Sequence, residues 1–183
     1  MDAAQGEDVD SLEYNSRLQN AHIKGIYEYA FNSIGRKLVF SLIITVMLFL
    51  VENITLFFKT PAGIFNIVNY TYLHIGVSSL LLVLSAVCAY EQIYHGFRSI
   101  ISKDYLPESV GVVCLGVSII HTVVSVILVS FGYTSPSMYN FVTSAILFGT
   151  ILFSFINVVR EEYGFRAISG KDTKFILEHV EQD

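Results

Sequence analysis

The sequence predicts an all-α integral membrane protein with four transmembrane helices, and three observations predict it. The stretch 109–131 contains no Asp, Glu, Lys or Arg. At a rise of about 1.5 Å per residue, a helix of that length covers the ~30 Å hydrocarbon core of a bilayer. Three further apolar stretches of similar length lie at 38–58, 72–94 and 138–159. Only 15% of the 183 residues are charged and 53% are apolar, against about 25% charged in a soluble domain. Long strands would leave their ladder groups open in lipid, so the Val- and Ile-rich runs are read as helices.

Taken in order, residues 1–16 carry Asp2, Glu7, Asp8, Asp10 and Glu13 and read as a disordered acidic tail. Across 17–35 the apolar residues Leu18, Ile23, Ile26, Tyr27, Ala30 and Ile34 recur at helical spacing. This predicts an amphipathic helix lying at the membrane surface; an extension of the first span into water is the alternative. Arg36 and Lys37 open the membrane region, 36–160. Pro61 and Gly63 break the chain after span one, and a polar connector at 95–108 follows span two. Pro136 marks the short turn between spans three and four, and 161–183 is a charged tail in which 173–180 reads as a strand.

Orientation follows from the basic residues beside the spans. Four precede span one (Arg17, Lys24, Arg36, Lys37), two lie between spans two and three (Arg98, Lys103), and four follow span four (Arg160, Arg166, Lys171, Lys174). The other side has Lys59 alone, so both termini are expected in the cytoplasm. Asn69 stands in a glycosylation sequon close to span two, and Asn53 in another inside the membrane region.

Other classes are excluded. A net charge of −5 argues against nucleic-acid binding. Cys88 and Cys114 lie singly in separate spans, so no disulfide framework, metal site or cofactor is expected. No catalytic constellation or phosphate-binding loop is present, so no activity is expected from this chain alone. The expected partners are the lipid bilayer and other membrane subunits, or further copies of the chain.

Each span carries small or polar residues along one face. They are Ser41, Thr45, Glu52 and Thr55; Ser78, Ser85, Ala89 and Gln92; Cys114, Ser118, His121 and Ser125; and Thr143, Thr150, Ser154 and Asn157. Small residues let helices approach closely and hydroxyls bond across the interface, so Ser85, Cys114, Ser118, Ser125, Thr150 and Ser154 are read as packing positions. Glu52, His121 and Asn157 form a candidate intramembrane polar site, because ionisable groups are costly in lipid. Glu52 and His121 would pair as a proton or cation site. The plainer readings are a carboxylate snorkelling to headgroups and a neutral imidazole bonded locally.

The order of features from span two onward carries a resemblance. Gln92-Ile-Tyr-His-Gly-Phe-Arg-Ser-Ile100 closes span two, and Pro107-Glu-Ser109 leads into span three. Span four runs into Arg160-Glu-Glu-Tyr-Gly-Phe-Arg-Ala-Ile168. This layout, over about 36–183, resembles the N-terminal membrane region of heavy-metal-type P-type ATPases. The resemblance implies two family-specific helices before two common ones. It places Gly96, Phe97 and Arg98 in an aromatic-Gly-basic stretch at the membrane surface, and makes span four a stalk towards an actuator domain beginning near Thr173. The D-K-T-G-T, T-G-E and C-P-C motifs of that family are absent, so the chain is expected to be a fragment or truncated member, with no catalytic residue carried over.

Overall fold

The computed structural model describes residues 20–57, 68, 70–133 and 138–169. The acidic tail, Lys59, Pro61, Gly63, Asn69, Pro136 and the strand expected at 173–180 lie outside them. Among the described residues the protein is all-helical: α1 (Asn20–Glu52), α2 (Ile54–Phe57), α3 (Thr71–Cys88), α4 (Tyr90–Ser102), α5 (Pro107–Ser130) and α6 (Asn140–Ser169). Four helices are long and apolar enough to cross a membrane: His22–Glu52, Thr71–Cys88, Pro107–Ser130 and Asn140–Ala167. This is a multi-pass membrane protein.

The described residues divide into two compact units, a larger one within 32–156 and a smaller one of 20–31 with 157–169. In the larger unit the interior is small and polar. Ser41, Ser78, Ser85, Ser118, Ser125, Thr143, Ser144 and Thr150 are all buried, around a core of Leu48, Ala89, Leu147 and Ile151. The large apolar side chains, among them Phe40, Leu80, Val83, Val117 and Ile120, point outward. In water this distribution would be unstable. In lipid, where tails are as apolar as leucine, the outer face costs nothing and the small interior brings backbones together. Gly111 is one such position, where an added Cβ would lie 3.2 Å from the Leu147 side chain.

In the smaller unit Ile23, Ile26 and Tyr27 are buried, while His22, Lys24 and Glu28 are exposed. The Tyr27 ring packs on Phe165 with centroids 5.8 Å apart. The periodicity predicted over 17–35 is therefore present, but no separate surface helix is. Residues 20–52 form one unbroken helix, because no Pro interrupts the backbone ladder and the apolar face finds a protein partner in Phe165. Residues 20–35 and the first span are thus a single helix.

Two other boundaries also move. Span four continues helically to Ser169, well past Val159. The connector expected at 95–108 is helical to Ser102. At Ala89 the backbone loosens (ψ 18°) but keeps its bonds, Ala89 N–H to Ser85 O and Ile93 N–H to Ala89 O. The stop comes at Lys103, whose left-handed conformation (φ 61°) turns the chain into α5, with Pro107 in the first turn of that helix.

Candidate functional site

Glu52 ends α1 beside the start of α6. Its Oε1 accepts the Asn140 backbone N–H at 3.1 Å and its Oε2 accepts that of Phe141 at 3.0 Å. Ser78 in α3 donates its hydroxyl to Oε1 at 2.5 Å, and the Asn140 amide nitrogen donates to the Ser78 oxygen at 2.9 Å. The first N–H groups of a helix have no partner within it, and that end carries a partial positive charge. The carboxylate answers both needs, so a charge that would be costly in lipid is matched by α6 itself. Phe49 covers the cluster, packing edge-on against Phe141 (5.5 Å) and Phe57 (6.3 Å). The Asn140 amide oxygen is buried without a partner.

Below this cap a hydroxyl network crosses three helices. Ser144 shares hydrogen bonds with Thr45 of α1 (2.7 Å) and Ser85 of α3 (2.8 Å). Ser118 of α5 and Thr143 of α6 share another at 2.5 Å. Gln92 donates to Ser154 at 3.4 Å. Of the residues read as packing positions, Ser85, Ser118, Ser125 and Thr150 are buried, and Cys114 and Ser154 are half-buried.

The expected Glu52–His121 pair is not formed among the described residues. The His121 ring packs on Tyr139 at 5.6 Å. It lines a groove of about 370 Å³ between α5 and α6 with Cys114, Val117, Ser118 and Thr143. Spacing along each helix put both residues on polar stripes, but Glu52 is held by α3 and α6 while His121 turns to the α5–α6 seam. Asn157, much later in α6, is half-buried. Asn53, the sequon residue within the membrane region, donates its side-chain amide to Phe49 O at 2.9 Å.

At the other end of the larger unit the chain closes by contact rather than charge. A Cβ on Gly96 would stand 2.5 Å from the Glu108 carbonyl oxygen and 2.9 Å from Val112. Only glycine permits that approach of α4 to the start of α5. Ser99, also buried, accepts the Leu106 N–H at 2.9 Å and donates to the Asp104 carbonyl, tying the turn. Glu91 is more than half exposed and bonded to Lys37 of α1 at 2.5 Å.

Sequence reasoning missed Asn140, Ser144 and Ser99. Asn140 stands three residues before Thr143 on the same face of span four, and extending the stripe by one turn would have included it. Ser144 adjoins Thr143, already placed on the stripe, and a wider stripe would have included it. Among the described residues no group of three or more metal-binding side chains is present.

No protein-family model, no curated protein and no solved structure matches the chain.

Proposed function

We propose that the chain is the membrane region of a P-type ATPase-like cation transporter, with both ends of the four-span bundle cytoplasmic. The observation that carries this reading is α6, which runs without a break from Asn140 to Ser169. A helix that leaves the membrane still wound, through Arg160 and Arg166, is what a stalk coupling a soluble domain to a bundle requires. The aromatic-Gly-basic stretch supports the same reading, since Gly96 is the residue that seats α4 against α5. The excess of basic residues on one side supports the orientation. The coding sequence beyond Asp183 tests it: continuation into T-G-E and D-K-T-G-T motifs is expected, and a clean stop would remove the reading.

A second reading is a self-contained structural, assembly or accessory subunit without catalytic activity. It is favoured by an interior whose hydroxyls are largely engaged with one another across helices. It expects a natural stop and defined partners that co-purify. A small channel or proton-coupled carrier using Glu52 and His121 draws less support, because both Glu52 oxygens already hold the start of α6. Flux abolished by Glu52→Gln with the fold intact would restore it, and unchanged flux would dismiss it.

A further inference from the structure

α4 has two faces of opposite character. Gln92, Gly96 and Ser99 are buried. Tyr90, Tyr94, Phe97 and Ile101, which recur at helical spacing on the other side, are each more than half exposed. Arg98 stands beside this aromatic stripe and Lys103 ends the helix, both exposed and without an ion pair among the described residues. Of the acidic neighbours, Glu91 is held by Lys37 and Asp104 is exposed.

Two contacts set the level of α4 in the bilayer. At the far end Tyr72 and Ser130 share a hydrogen bond of 3.4 Å, which levels the start of α3 with the end of α5. At the near end Gly96 lies against Glu108 and Val112. Between these contacts the charge-free part of α5, from Val110 to Ser130, measures about 30 Å, the thickness of the hydrocarbon core. The core boundary therefore crosses α4 near Tyr94 and Gly96. Tyr90 lies among the acyl chains, Tyr94 at the boundary, and Phe97 with Arg98 a few ångströms out. Ile101 and Lys103 reach the outer part of the headgroup layer.

We propose that this exposed face of α4 is a binding surface for anionic phospholipids. The rings of Tyr90, Tyr94 and Phe97 occupy the chain–headgroup boundary, where amphipathic aromatics are favoured. Arg98 and Lys103 meet the lipid phosphates, which supply the anionic partners these cations lack in the protein. A soluble partner fits less well, because the stripe begins inside the hydrocarbon layer. The inference rests on membrane insertion alone and stands apart from the transporter reading.

The chain contains no Trp, so Phe97→Trp creates a single reporter. The full chain is reconstituted in mixed phosphatidylcholine–phosphatidylglycerol vesicles, with bromines near the headgroup end of one lipid or the other. Brominated phosphatidylglycerol is expected to quench the reporter more strongly than brominated phosphatidylcholine. Adding Arg98→Gln and Lys103→Gln should reduce that preference on the order of tenfold. Equal quenching by the two lipids without those changes would overturn the anionic preference. Quenching by aqueous iodide but by neither lipid would overturn the lipid surface and point to a soluble partner. Tyr94→Trp, one turn earlier, gives the same reading if Phe97→Trp disturbs the fold.

Discussion

The two ends of the larger unit are closed by opposite means. At the Glu52 end a carboxylate gathers two backbone N–H groups and a serine hydroxyl from two other helices. At the Gly96 end the absence of a side chain lets α4 and α5 touch backbone to side, and Ser99 ties the turn between them. The first closure is electrostatic and depends on groups that must be satisfied in a low-dielectric setting. The second is steric and depends on space. Between them lies the Thr45–Ser85–Ser144 network, which is uncharged, with Ser85 and Ser144 buried.

That contrast orders the expected effects of substitution, each read as unfolding free energy in detergent micelles with helicity followed by circular dichroism. Glu52→Ala should be the most damaging, on the order of 3 kcal/mol, since it strands several donors at once. Glu52→Gln keeps an acceptor and should cost less, roughly 1–2 kcal/mol, which isolates the contribution of charge at the helix start. If the two substitutions are equal, the closure is not electrostatic. Gly96→Ala should cost about 2 kcal/mol, because the new Cβ meets a backbone carbonyl that cannot rotate away. A neutral result there would mean that α4 and α5 separate freely. Ser144→Ala, which removes the shared partner of Thr45 and Ser85, should cost about 1 kcal/mol. Ser118→Ala, which breaks the one hydroxyl pair with Thr143, should cost about 0.6 kcal/mol. Losses at Ser144 as large as at Glu52 would show that the middle of the bundle, and not its ends, holds it together.

Much of this architecture was legible in the residues. The lack of charge in 109–131 is enough to define α5, since helix length and bilayer thickness are both fixed quantities. The serine and threonine stripes were legible because every residue on one helical face shares the same neighbour. Less legible were the ends of helices. Charge at Arg36 and Arg160 reads as an exit from the membrane, but leaving lipid does not require the backbone to stop winding, and α1 and α6 continue. The site was legible only in part. Glu52 stood out as a costly carboxylate, yet its partners are 26, 88 and 89 residues away in sequence.

By itself the sequence determined which segments are helices that belong in a membrane and which faces they bury, because hydropathy and periodicity act locally along the chain. Only the tertiary structure decided that Glu52 meets the start of α6 rather than His121, that Asn140 and Ser144 complete the polar interior, and that Gly96 must be bare. Those outcomes depend on how far each helix slides and turns against its neighbours, and no local pattern encodes that register.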